Sequence, residues 1–456
     1  MSTDPAVRTA VVFVHGLLER RPMDTFDTIA KTVLAPRNGR WDYHPLALES
    51  TDSYEARRYS TASVDLFEYD WSFLMTSTRY AGFGSALLRV FVRRPRHVPD
   101  QIFGIWRAAW LAVLIPTAVL VALAVVGGYL LHTGIPGWIL GVVSSVVVLS
   151  IALAVFRMLP RALTRSFLTT GFVNVARYFD LQPESHVARR AIRGGLVDLL
   201  HTLQQGRYAR VVVVGHGLGG FIAYDALTTL WAETHQLRAE AAGPGSLTQP
   251  DVPGSVEEFQ AEQFALWQRL RSQGNPWRTT DFVTLGTPMA FADLFVARPP
   301  ILAGAARTDR RHALFESLAR RGVVVCCPPL PDESGDAGTL GGLSPFAVTR
   351  WTNIWFPVTR GSVRGDWFGG GLAPLFGPGI RDIAVTGNRP ERLRPGVPQT
   401  KYFAYPDRGD VGDVAVHLRS VLALDERSGL AASVSAPEPD PSTVDRVVYR
   451  SWQRSM

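Results

Sequence analysis

Lysine is almost missing from this chain of 456 residues: only Lys31 and Lys401 occur, and all the other basic side chains that stay charged are arginine. The bias fits the codon usage of a GC-rich, actinobacterium-like genome as readily as selection for guanidinium chemistry. Cysteine is as scarce. Cys326 and Cys327 are neighbours, a poor geometry for a structural disulfide, and neither has the CxxC or Cys/His spacing of a zinc site. A disulfide scaffold and a structural zinc are excluded on these grounds, and a reducing compartment is the simplest expectation. No basic segment followed by a short apolar run and a small-residue cleavage site opens the sequence, so the soluble part is not expected to be secreted. There is no internal repeat. The interleaved basic and aromatic motifs of nucleic-acid readers are missing too, although the net charge is +7. Much of the basicity instead flanks one apolar stretch, which points to membrane lipids as partner and away from nucleic acid.

That stretch is the longest absence of all. From Ala108 to Phe156 there is no Asp, Glu, Lys or Arg, and the run divides at His132-Thr133-Gly134 into two segments, each long enough to cross ~30 Å of hydrocarbon. A pair of buried core helices is the competing reading, but core helices seldom stay uncharged on every face for so long. Arg89, Arg93, Arg94, Arg96 and Arg107 precede the run and Arg157, Arg161 and Arg165 follow it, so both flanks are expected in the cytoplasm. The expectation is a multi-pass protein of the inner (cytoplasmic) membrane. Residues 1–104 and 159–427 then build one cytoplasmic domain around a transmembrane hairpin, 105–158, and a Pro/Ser/Ala-rich tail, 428–456, is expected to be disordered.

Within the domain, Ala10 to Val14 is a continuous apolar, β-branched run ending at His15-Gly16, as a buried parallel strand would. Val211 to Val214 is a second. Pro183 to Gln204 before it and Leu218 to about Trp231 after it have helical spacing, so strand, turn and helix recur in βαβ order. Asp281 to Leu285, Trp351 to Phe356 and Ile383 to Val385 are further strand candidates. Ala239 to Glu257 and Pro328 to Pro345, rich in Gly, Pro and Ser, read as surface insertions.

Val211-Val-Val-Val-Gly215-His216-Gly217-Leu218-Gly219-Gly220-Phe221 is an apolar strand, a glycine turn and a helix, the context in which a G-x-S-x-G elbow projects a nucleophile. Its middle position is Gly217, which has no side chain to project. The segment resembles the G-H-S-L-G-G elbow of lipases and esterases in the α/β-hydrolase superfamily. It also satisfies G-x-G-x-x-G, but no second strand ending in an acidic ribose partner is evident about 20 residues on, which weakens a dinucleotide reading. Three other segments resemble the superfamily in the expected order. His15-Gly16-Leu17 is similar to the H-G-x loop that supplies one oxyanion amide, Leu285-Gly286-Thr287-Pro288 to the L-G-T-P after the next strand, and Trp351 to Pro357 with Gly365-Asp366 to the strand and loop of the triad acid.

The resemblance implies a mostly parallel α/β sheet of hydrolase type, spanning residues 10 to about 420, with the hairpin inserted. It places the nucleophile at Gly217, the acid at Asp366 with Asp382 as a weaker competitor, and oxyanion amides at Leu17 and Leu218. The base falls at Gln399, in Pro398-Gln399-Thr400-Lys401-Tyr402, where the family carries a histidine before Thr-x-Tyr. Glutamine cannot take a serine proton near neutral pH. His417 is the alternative base, although Val414 and Val421 on its helical face suit a packed histidine better. His15 and His216 are expected to position the loop backbones. No spacing supports a metal site, and no cofactor is expected. Two readings of function follow. One is a degenerate lipase/esterase, a pseudoenzyme that binds an acyl-ester or lipid ligand or scaffolds at the membrane. The other is a working serine-type hydrolase of acyl or lipid esters, its serine replaced in this sequence or its catalytic group non-standard. A transporter is disfavoured, because two spans without an intramembrane ionisable pair leave no pathway.

Overall fold

A computed structural model describes residues 8–16, 29, 33, 44–61, 64–75, 95, 98–132, 138, 146, 150, 175, 178, 183–206, 208–239, 254–292, 314–315, 317–330, 340, 343–358, 365–385, 402–403 and 413–422. The strands are β1 (Thr9–Val14), β2 (His44–Ser50), β3 (Glu55–Ser60), β4 (Val64–Asp70), β5 (Arg210–His216), β6 (Thr279–Leu285), β7 (Arg350–Trp355) and β8 (Arg381–Ala384). They form one eight-stranded sheet in the order β2-β3-β4-β1-β5-β6-β7-β8. From β4 to β8 every pairing is parallel, and only β2-β3 and β3-β4 are antiparallel. The chain is thus an α/β protein with a mixed, mostly parallel sheet, as its βαβ pattern implied.

The helices are α1 (Asp100–His132), α2 (Pro183–Gln205), α3 (Leu218–Ala239), α4 (Val256–Ser272), α5 (Ala373–Phe376) and α6 (Asp413–Val421). One face of the sheet, with Ala10, Val12, Val14, Val211 and Val213, packs against the apolar sides of α2, α3 and α4. The other face, with Val11, Phe13, Val212 and Val214, packs against Val414, Ala415, Leu418 and Leu422 at α6. Every residue of β1, β5 and β6 is buried, because central parallel strands are covered on both sides. α4 was not anticipated. Ser255 caps it by accepting the Glu258 N–H, so the Gly/Pro-rich stretch read as an insertion up to Glu257 already contains the first turn of a helix.

Three strands, β2 to β4, were also missed, and β4 shows why. Its sequence, VDLFEYD, places Asp65 and Glu68 at buried positions, which no apolar pattern reveals. Asp65 is held by Arg8, by Ser60, by Arg58 at 2.8 Å and by the Tyr208 hydroxyl at 2.7 Å. Burial pushes its carboxyl up, but these four donors outweigh it and bring the pKa down to about 2.

Among the described residues one helix, α1, is long and apolar enough to cross a membrane, and none of its apolar window is buried in the protein. It ends at His132, where the sequence divides the apolar run. Of the second predicted span only Trp138, Val146 and Ser150 are described, all helical and exposed. The tail, 428–456, lies outside the described residues.

Candidate functional site

Parallel strands collect functional loops at their carboxyl ends, most readily where consecutive connections leave in opposite directions. Here that point lies between β1 and β5. The chain leaves β1 toward β2, β3 and β4, and leaves β5 toward β6, β7 and β8. The loops that meet there are His15-Gly16 and His216-Gly217.

The elbow is built from backbone contacts that only glycine allows. A Cβ on Gly219 would strike the Val14 and His15 carbonyl oxygens, one on Gly215 would lie 2.5 Å from the Gly220 Cα, and one on Gly220 would lie 2.8 Å from the Thr287 hydroxyl. These contacts lock the turn to the loops after β1 and β6. Gly217 itself stands at φ +55°, a left-handed conformation that costs an ordinary residue roughly 1–2 kcal/mol. Its N–H donates to the Leu285 carbonyl at 2.8 Å, and its carbonyl accepts from Gly220 at 3.1 Å. Leu218 opens α3 directly after it and is buried. A strand, a tight left-handed turn and a helix are therefore present, and glycine at the apex holds that turn without strain and without a side chain. Leu17, the other predicted oxyanion residue, lies outside the described residues.

Asp366 arrives on the loop after β7 and is completely buried. One carboxylate oxygen accepts the Phe368 N–H at 2.9 Å and the other accepts the Tyr402 hydroxyl at 2.5 Å. The pair sits on Gly286, whose Cβ would meet both Asp366 Oδ2 and Tyr402 Oη. Gly286 directly follows Leu285, the acceptor for Gly217, so Asp366 and the Gly217 turn meet at the end of β6. Burial pushes the Asp366 carboxyl up to about 6, although the Tyr402, Phe368 and Gly369 donors work the other way. Tyr402 had been read only as part of the Thr-x-Tyr pattern. In the fold its hydroxyl, and not a histidine, is the side-chain donor to the Asp366 carboxylate.

The competitor Asp382 is engaged elsewhere. It accepts from the Leu372 and Ala373 N–H groups at the start of α5, and from Asn353 Nδ2 at 2.7 Å. Gln399 lies outside the described residues. His417 is half-buried on α6, a helix whose C-terminal Leu422 carbonyl accepts from Arg210 at the amino end of β5, the end of the sheet opposite Gly217. His216 is buried, its ring 5.3 Å from Tyr402 and 5.6 Å from Phe403. It ties the elbow to the segment that carries the Asp366 partner.

His15 does more than position a loop. Its Nδ1 is 2.7 Å from the Gly16 carbonyl, which can only accept, and its Nε2 is 3.4 Å from Asp70 Oδ1. Both nitrogens face acceptors, an arrangement that favours the protonated ring. Burial alone would lower its pKa, but bonds to Asp70 and Gly16 and the charges of Glu68 and Asp70 raise it on balance. Asp70 is held well below the usual carboxylate range, first by His15 and, against some burial, by the Ser72 hydroxyl at 2.9 Å. Ser72, His15 and Asp70 do not form a nucleophile relay. Asp70 stands between serine and histidine, so the Ser72 proton faces a weakly basic carboxylate and no imidazole nitrogen. Asp70 and Glu68 were not singled out in the sequence, because acidic residues at a strand end carry no distinguishing pattern. Among the described residues no group of three metal-ligating side chains occurs.

Comparison with protein-family models, with curated proteins and with solved structures finds no match to this chain.

Proposed function

We propose that this is a membrane-anchored α/β-hydrolase-like protein of lipase/esterase type whose catalytic unit is degenerate. It binds an acyl-ester or lipid ligand, or scaffolds at the cytoplasmic face of the inner membrane, without turning an ester over. The observation that supports the reading is that Gly217, without a side chain, stands at the apex of the turn, while the nearby buried Asp366 carboxylate takes its side-chain hydrogen bond from Tyr402 and not from a histidine. The apolar helix α1 supports the anchor. The working-hydrolase reading has one observation in its favour: Asp366 is still held, fully buried, next to the turn.

A fluorophosphonate probe separates the two, applied to the full chain in detergent beside Gly217→Ser. The unaltered protein should not react. Gly217→Ser should react slowly, because a site lacking its base retains only the ~10³ to 10⁴-fold over water that the oxyanion hole and binding supply. Ester turnover by the purified, unaltered protein would overturn the proposal.

A further inference from the structure

The first turns of the anchor helix are docked on the domain. Val98 and Ile105 are buried, and the Gln101 side-chain amide, with Ala290, fills the space beside the Gly370 Cα that a Cβ would need. Gly370 belongs to the loop that carries Asp366, after β7, and Ala290 to the turn after β6. α1 therefore starts at the carboxyl edge of the sheet, the edge that holds Gly217, His15 and Asp70. Leu111, Val113, Leu114 and Ile115 are already exposed. At 1.5 Å per residue, only about 15 Å of helix separates Gln101 from the first of them.

The strip between is aromatic. Phe103 stacks on Trp106 at 5.6 Å, and Trp106 lies 6.2 Å from Trp110, with Arg107 among them. Aromatic rings and an arginine at the start of an apolar span are the side chains that settle among lipid headgroups. A second, separate element points the same way. The turn Ser72–Met75, which follows β4 at the same edge, leaves Phe73 49% exposed. The opposite edge carries charge: Arg8, before β1, and Arg58, near the carboxyl end of the antiparallel β3, are partly exposed there and both reach Asp65 near the amino end of β4.

We propose that the carboxyl edge of the sheet lies against the bilayer, with Phe73 in the headgroup layer beside the Phe103–Trp106–Trp110 strip. The His15–Asp70 pair, partly exposed beside the buried Gly217 turn, then faces lipid, and the ligand of this edge is an amphipath that reaches it within the plane of the membrane. The inference rests on the reading of α1 as a span.

The test places one environment-sensitive label at a time in the full chain, whose own two thiols are buried, and reconstitutes it in phosphatidylcholine vesicles. Phe73→Cys reports the edge, Trp106→Cys the anchor, and Gln205→Cys the exposed end of α2 at the amino edge. Spin-labelled lipid should remove severalfold more fluorescence at positions 73 and 106 than at 205, and aqueous iodide should show the reverse order. Should Phe73→Cys fail to fold, Asp52→Cys, on the exposed β2–β3 turn at the same edge, replaces it. Lipid quenching at 106 with iodide-type behaviour at 73 would overturn the apposition and leave the anchor standing. Iodide quenching at 106 as well would overturn both.

Discussion

Replacing Asp366 by asparagine should make the protein more stable at neutral pH and change it much less in acid. The carboxyl is completely buried, and burial moves its pKa from the ordinary 3.8 to about 6 against the pull of three donors. A raised carboxyl pKa means that the folded state holds the proton more tightly than the unfolded chain. Stability on this account is fully present below 3.8, falls as pH rises from there to about 6, and is flat above. With 1.36 kcal/mol per pKa unit, the ionised group costs about 3 kcal/mol near pH 7.5 and about 1 kcal/mol near pH 4.5. Asparagine removes that term. Its carbonyl oxygen still accepts the Phe368 N–H, and its amide faces a Tyr402 oxygen that can turn to accept. Urea unfolding of the full chain in detergent, followed by tryptophan fluorescence at both pH values, gives the comparison. An equal gain at both, or a loss near pH 7.5, would refute the reasoning. A working triad would respond otherwise: losing the acid that orients its histidine would abolish activity.

Two further outcomes follow from the same edge. Asp70→Asn keeps an acceptor oxygen but removes the negative charge that favours the protonated His15 ring, whose raised pKa contributes stability in acid that is lost as pH rises through that pKa. The stability gap between the parent and Asp70→Asn should therefore be widest in mildly acidic solution and narrow as the pH rises past the ordinary histidine range; a constant gap would show that the pair is not titrating. Gly219→Ala should destabilise by about 1–3 kcal/mol, because its methyl group would be driven into the Val14 and His15 carbonyls. Gly194→Ala on α2, where nothing lies within 4 Å, should instead gain up to about 1 kcal/mol of helix propensity. Thermal melts of the two variants together check both, and equal shifts would refute the packing account of the elbow.

Much of the frame could be read from residue order. Thr9–Val14 and Arg210–His216 are rich in valine and buried on both faces, so their apolar runs announced central strands. β3 and β4 did not announce themselves. EARRYS and VDLFEYD carry charges, and Asp65 draws partners from far along the chain, Arg8 just before β1 and Tyr208 just before β5. A local window cannot register a charge neutralised by a residue more than fifty positions away.

The elbow followed the same division. By itself the sequence determined the strand, glycine turn and helix around Gly217, the loss of a side chain at its apex, the acidic residue at Asp366 and the apolar run that becomes α1, because each depends on residues adjacent in the chain. Only the tertiary structure decided what these residues meet. It set the Tyr402 hydroxyl on Asp366 across 36 positions and His15 against Asp70 across 55, and it brought Gln101 of the apolar helix onto the loop of the acid position. Those meetings depend on strand order. The parallel sheet brings the carboxyl ends of β4, β1, β5, β6 and β7 to one edge, and no spacing along the chain encodes which loops become neighbours there.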